Sequence, residues 1–387
     1  MSCLFARIEG GFECGRLDRW VASLLAGFLK GEAIPMGTLA DTSDLVHLEA
    51  PRSQPRALPR DAHAIRRILV CVDRSPFSEA CLRQAVAISR SLGSTMTILH
   101  VMEPPHEQFG LHASDVLGWE LSRQEASAYL ERLKQEGARA SGRQVETRLE
   151  QGHPAERIAA VARELDADLI VLGSHGERGV AAWNLGSTAL QVLAVARGSV
   201  FIARSNPAAP GSVSPKRILV PLDGSLRTES VLPIAVRIAK ARNAELMLVF
   251  VVREPVPTAV LRAPEDLEAA RELATRLEVS GNRYLEGLRD RLMHEGVSAR
   301  TVVLRSTDEK QSLLELSQKE QSDLIVLSAH GSTCNSSLTY GSVTGHLLTH
   351  SSVPMLVLQD LRDSELHVQE DDRRAPPLRA SYPPEVA

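Results

Sequence analysis

Residues 168–187 read DLIVLGSHGERGVAAWNLGS, and this stretch decides the fold. Asp168 leads into an apolar run, Leu169 to Leu172, which closes on Gly173-Ser174-His175-Gly176. After nine intervening residues, Gly186-Ser187 opens a helical pattern. A buried strand, a glycine loop and a helix N-terminus, in that order, make a place for a phosphate. Glycine lets backbone N–H groups approach an anion with no Cβ in the way. The first turn of the helix adds N–H groups without intrahelical acceptors and a dipole that favours negative charge. The hydroxyls of Ser187 and Thr188 add two further donors. The arrangement recurs at 323–342, DLIVLSAHGSTCNSSLTYGS.

Upstream of that stretch, strands and helices alternate. Ile68–Val72 is a continuous apolar run ending at Asp73, as expected of a strand buried on both faces. Pro76 opens a helix, the position proline prefers, with Cys81, Ala85, Ile88 and Leu92 on one face and Gly93 as its stop. A strand over Thr95–Val101, a helix over about Ser114–Gly137 and a strand over Gln144–Leu149 follow. Next come a helix from Pro154, the Asp168–Gly173 strand, the helix from Gly186 and a strand over Val200–Ala203. Five strands alternating with helices predict a doubly wound α/β domain with a parallel sheet.

The order then repeats. Arg67-Ile68-Leu69-Val70 returns as Arg217-Ile218-Leu219-Val220, Asp73 as Asp223, and Gly186-Ser187 as Gly341-Ser342. The chain therefore divides into an extension and linker at 1–64, a first domain at 65–205, a linker at 206–215, a second domain at 216–360 and a tail at 361–387. Trp20, Val21, Leu24, Leu25 and Phe28 have helical spacing, but the extension is read as poorly ordered, as is the charged, proline-containing tail.

Composition bounds the function. Among 387 residues, 43% are hydrophobic and 24% charged, an ordinary globular balance. A net charge of -4 gives no reason to expect nucleic-acid binding. Cys3, Cys14, Cys71, Cys81 and Cys334 have no metal-ligand spacing and read as free thiols of a reducing compartment, so the cytoplasm is expected. No apolar run approaches the roughly 20 residues that span a bilayer, and no membrane association is expected.

On these residues, both halves resemble the universal stress protein family, and the chain resembles its tandem two-domain members. The resemblance rests on ILVCVDRS and ILVPLDGS at the first strands, DLIVLGSHG and DLIVLSAHG at the fourth, and the closing Gly-Ser pairs. It implies flavodoxin-like, Rossmann-like domains, each a five-stranded parallel sheet of order 3-2-1-4-5. It also implies last strands paired antiparallel between the halves as an internal pseudo-dimer, with further homo-oligomers compatible. The family's nucleotide-binding members carry G-x2-G-x9-G-[S/T]. The first half matches it throughout, so the resemblance assigns phosphate contacts to Gly173, Gly176, Gly186, Ser187 and Thr188. It places Asp73 by the ribose or adenine, and the backbone of Val101 at the adenine edge. In the second half Asp223, Val251, Gly331, Gly341, Ser342 and Val343 occupy the corresponding positions, but Ser328 stands where the first glycine belongs, making this the weaker match. In the first half Arg74 stands where glycine is usual.

The expected ligand is ATP, with Mg2+ as its companion, in a regulatory module of stress tolerance with an unknown protein partner. Two alternatives stand beside it: a slow ATPase, and a nucleotide-free interaction scaffold. The ATPase reading lacks a Walker-type lysine after the glycines and an evident base. No catalytic residue and no resident metal site is assigned: Asp73 and Asp223 read as hydrogen-bond acceptors, and His175 and His330 as loop-packing residues. Cys334, inside the second loop, is a redox-sensitive thiol only if exposed.

Overall fold

The alternation of buried runs and amphipathic segments becomes one ten-stranded sheet in the computed structural model of the chain. The structure describes residues 64–104, 113–174, 185–196, 198–204, 215–256, 264–332 and 339–359. The extension before residue 64, Gly176 with its neighbours His175 and Arg178, Cys334 and the tail from 360 lie outside the described residues.

In the first half, β1 (Arg67–Val72), α1 (Pro76–Leu92), β2 (Thr95–Met102), α2 (Ala113–Ser141) and β3 (Val145–Gln151) are followed by α3 (Pro154–Glu164), β4 (Leu169–Gly173), α4 (Ser187–Val195) and β5 (Ser199–Ala203). The second half runs β6 (Arg217–Pro221), α5 (Leu226–Glu229), α6 (Leu232–Arg242), β7 (Glu245–Arg253), α7 (Pro264–His294), β8 (Ala299–Ser306), α8 (Glu309–Lys319), β9 (Leu324–Ser328), α9 (Ser342–His350) and β10 (Met355–Leu358). The strand order is β3-β2-β1-β4-β5-β10-β9-β6-β7-β8. Each half is therefore the order 3-2-1-4-5, with every pairing inside a half parallel.

The halves join where β5 and β10 pair antiparallel, with Val200, Phe201 and Ile202 opposite Val357, Leu356 and Met355. All of β5 and β10 is buried, and the pairing leaves neither as a free edge. The outer strands β3 and β8 are only partly buried and carry charge, as edges that resist further pairing do.

Two apolar layers sandwich the sheet, and alternation along β1 sends Ile68, Val70 and Val72 into one and Leu69 into the other. Both layers cross the seam between halves, since Phe201 and Leu356 share one and Ile202 and Met355 the other. Leu69 and Leu219 are completely buried, so truncating either to alanine costs about 2–5 kcal/mol. At the N-terminal edge, Asp168 accepts hydrogen bonds from the N–H groups of Arg66 (2.8 Å) and Arg67 (2.9 Å). Asp323 does the same for Lys216 (2.8 Å) and Arg217 (3.0 Å). The aspartate that opens each fourth strand thus sets its register against the first.

The first helices differ. α1 is continuous, whereas the second half has a four-residue α5, a break at Ser230-Val231, and then α6. Pro233 explains the break. It has no N–H to give the carbonyl of Glu229, and its ring would collide with that carbonyl. Arg83 stands at the equivalent place in α1.

Candidate functional site

β1 lies between β2 and β4, so the chain's crossovers leave β1 in opposite directions and open a crevice above the carboxyl ends of those strands. Asp73 directly follows β1, and Gly173 is the last residue of β4, which brings them to this same edge. The loop after β4 is pinned at both ends: Ser174 N–H donates to Ala203 O (2.9 Å) and Gly186 N–H to Ser174 O (2.8 Å). Gly186 is the N-cap of α4 and supplies no side chain; the first helical bond runs from Leu190 N–H to Gly186 O at 3.0 Å. The N–H groups of Ser187, Thr188 and Ala189 therefore have no intrahelical acceptor, and the Ser187 side chain is exposed beside them.

The aspartate is held. Asp73 Oδ1 accepts from Ser75 Oγ (2.6 Å), Ser78 Oγ (2.6 Å) and Ser75 N–H (3.1 Å). In the second half Asp223 Oδ1 accepts from Thr228 Oγ1 (2.8 Å) and Ser225 N–H (3.0 Å). A hydroxyl five residues after the aspartate is thus a shared part of the site, and its readable signal was the repeated spacing from Asp73 to Ser78 and from Asp223 to Thr228. Burial alone would raise the Asp223 carboxyl pKa. The hydrogen bonds from Ser225, Ser332 and Thr228 outweigh it and leave the group below the ordinary carboxylate value.

Arg74 sits in the left-handed region, φ 68°, where its counterpart Gly224 has φ 83°. Its guanidinium does not remain over the loop: Nη2 pairs with Glu125 on α2 at 3.0 Å.

The second loop closes on the aspartate. Asp223 Oδ2 accepts the N–H of Ser332 at 2.6 Å. A Cβ on Gly331 would stand 2.5 Å from that same oxygen, so this contact is what requires glycine there. At Gly341 an added Cβ would meet Ala329 O at 3.4 Å and His330 Cα at 3.5 Å, close to ordinary contact. Ser328 turns its hydroxyl inward, donating to His330 O at 2.6 Å, while its own carbonyl accepts Thr344 Oγ1 at 2.9 Å. The serine braces the loop's backbone. Gly341 caps α9 as Gly186 caps α4, with Ser342 exposed and Val343 half-buried in the first turn.

Val101 lies one residue and Val251 two residues past the ends of their ladders with β1 and β6, which stop at His100 and Val249. Leu222 N–H donates to Val249 O at 2.8 Å. Strand groups alternate with period two, so Val251 directs its backbone to the same side, beyond the end of β6. Val101 holds the same register on β2.

Behind the carboxylates the halves diverge. His100 Nδ1 lies 2.8 Å from Val72 O and its ring meets Tyr129 edge-on; Phe250 and Tyr284 repeat the ring pair. Tyr284 donates to Glu229 Oε1 at 3.0 Å, and both burial and that carboxylate hold the phenol far above its usual pKa. Glu229, 9% exposed, is a buried acid that sequence reading missed, because the break at Pro233 that accompanies it is local but its phenol partner is 55 residues away. Beneath Asp73, the Cys81 thiol is pushed up to about 12 by burial and then by the Asp73 charge, and burial raises Cys71 as well. Among the described residues, no three His, Cys, Asp or Glu side chains cluster as a metal site, and no helix is long and apolar enough to cross a membrane.

A family model described as the universal stress protein family matches residues 64–204 and again 215–359. A universal stress protein of Synechocystis is 27% identical over 150 residues, 36% of this chain and 97% of that protein. One from Bacillus subtilis is 28% identical over 148 residues, 37% of this chain and 98% of that protein. Each thus corresponds in length to a single repeat. Among solved structures, a universal stress protein from Archaeoglobus fulgidus superposes with a TM-score of 0.53 at 19% identity, covering 77% of this chain and 97% of its own, a likeness of fold.

Proposed function

The chain belongs to the universal stress protein family, and on that premise we propose that it binds an adenine nucleotide, ATP with Mg2+, at the carboxyl edge of its first half, as a cytoplasmic regulatory module of stress tolerance. The observation that carries this reading is the meeting of Asp73, Gly173 and the uncapped first turn of α4 at one sheet edge, where strand order reverses. In this reading Gly173, Gly176, Gly186, Ser187 and Thr188 cradle the phosphates. Asp73, held by Ser75 and Ser78, receives a ribose hydroxyl, and the Val101 backbone meets the adenine edge. The repeats 65–205 and 216–360 act as the two domains, and nucleotide occupancy sets the surface that a protein partner reads.

The second half supports a different role. Its carboxylate Asp223 already holds the Ser332 N–H of its own glycine loop, so a nucleotide would have to displace that bond before entering. This favours a structural pseudo-site at Asp223, Val251, Gly331, Gly341, Ser342 and Val343.

Calorimetric titration with ATP and Mg2+ tests both statements. The expected result is one site per chain, lost in Gly186→Val with the unfolding midpoint retained, and kept in Gly341→Val. The absence of both binding heat and co-purified nucleotide would sink the nucleotide reading. Two equivalent sites would sink the pseudo-site.

A further inference from the structure

Away from both glycine loops, a groove of about 280 Å3 runs between α1 and α2 and ends against the C-terminus of α6. Its floor is Leu82, Val86, Ala87 and Gly137, with the exposed Ala140 at its edge. A Cβ on Gly137 would meet Val145 at 3.6 Å and Leu82 at 3.7 Å, so the buried glycine seats α2 closely at the base of the groove. Its rim is cationic: Arg83, Arg90 and Arg242 face one carboxylate, Glu136.

The arginines differ in what holds them. Arg242, from the second half, is anchored, with Nε donating to Ser91 Oγ at 3.1 Å and its guanidinium also donating to Ala87 O. Arg83 and Arg90 have no carboxylate partner among the described residues. Glu136 is itself shared with Arg132, at 4.0 Å, while Arg132 makes its shorter bond to Glu79 at 3.0 Å. Burial and then the Arg90 charge lower the proton affinity of Arg242, and three cations share the groove's lining with one carboxylate, Glu136. Lining of this kind, an apolar body with a few polar groups on one side, is what small-ligand sites have, and the volume falls just below the lower end of their range, which limits the ligand to a small one.

We propose that this groove is a second ligand site, for a small amphiphilic anion: a carboxylate carrying a short alkyl chain. The chain lies on the Leu82–Val86 floor and the carboxylate meets Arg83 and Arg90. Because Arg242 comes from the other half, the site is complete only in the tandem chain.

Equilibrium dialysis of the full chain with labelled octanoate is the test, with acetate and octanol as the probes that lack the tail and the charge. Octanoate should bind once per chain and at least about tenfold more tightly than either control. Arg83→Gln with Arg90→Gln should weaken it about tenfold. Ala140→Phe, a change at an exposed rim position that the fold accommodates, should fill the groove and abolish binding. Saturating ATP should leave it unchanged, which separates this site from the nucleotide reading. No octanoate binding, octanol binding as tight as octanoate, or affinity indifferent to these variants would each overturn the proposal.

Discussion

Replacing Gly331 by alanine tests how the second loop is built. The new Cβ would lie 2.5 Å from Asp223 Oδ2 and must reach about 3.4 Å for ordinary contact. Asp223 cannot retreat while keeping its bonds, because Oδ1 is fixed by Ser225 N–H and Thr228 Oγ1 and Oδ2 by Ser332 N–H. The Ser332 bond therefore breaks. A hydrogen bond to a charged group contributes about 1.5–3 kcal/mol, and this solvent-facing carboxylate belongs at the low end, about 1.5–2. Restricting the unfolded chain returns about 0.5 kcal/mol, since Gly331 does not need a left-handed backbone. The net expectation is a loss of about 1–1.5 kcal/mol in urea unfolding. Gly341→Ala, with its Cβ at 3.4–3.6 Å from its neighbours, should stay within about 0.5 kcal/mol of the parent. The decisive comparison is a double-mutant cycle. In an Asp223→Ala background the obstructing oxygen is gone and only the unfolded-chain effect remains, so Gly331→Ala should gain about 0.5 kcal/mol, a coupling of about 1.5–2 kcal/mol. Additive losses in the cycle would refute the reasoning.

Three further outcomes follow from the same geometry. Arg74 holds φ 68°, so Arg74→Gly should be more stable than Arg74→Ala by about 0.5–1 kcal/mol, because both lose the exposed Glu125 pair but only glycine escapes the left-handed cost; alanine equal to or better than glycine in thermal unfolding would contradict this. The Asp223 carboxyl has a folded pKa below its unfolded value, so its contribution is complete above about pH 4 and disappears as pH falls through the folded pKa; urea midpoints measured from pH 6 to pH 2.5 should fall less steeply in Asp223→Asn. With its thiol raised to about 12, Cys81 should resist iodoacetamide at pH 8 until the chain unfolds, as should Cys71, and peptide mapping that finds either rapidly alkylated in the native protein would count against the burial described.

The parts of this protein that local sequence determines are those whose physics is local. A strand buried on both faces must be apolar throughout, so β1, β4, β6 and β9 announce themselves, and the glycine and proline punctuation around them marks where helices start and stop. Repetition of that order made the two halves legible, and the 3-2-1-4-5 arrangement came with the family that ILVCVDRS and DLIVLGSHG resemble. Glycine loops and strand-end aspartates could be listed as site residues through that resemblance. The strand order that came with the resemblance puts both at the carboxyl edge, but the physical cause of their meeting is tertiary, since Asp73 and Gly173 are a hundred residues apart and are joined by the pairing of β1 with β4. The same holds for the reason behind individual residues. Gly331 is glycine because Asp223, far earlier in the chain, leans on it. Arg74 is tolerated in a glycine's conformation while Glu125 holds its side chain outward. Ser328 braces its own loop, and Arg242 crosses from one half to the rim of a groove in the other. Contacts between distant segments depend on how whole elements stack, which no window of sequence encodes, and that is why tertiary structure alone decided them.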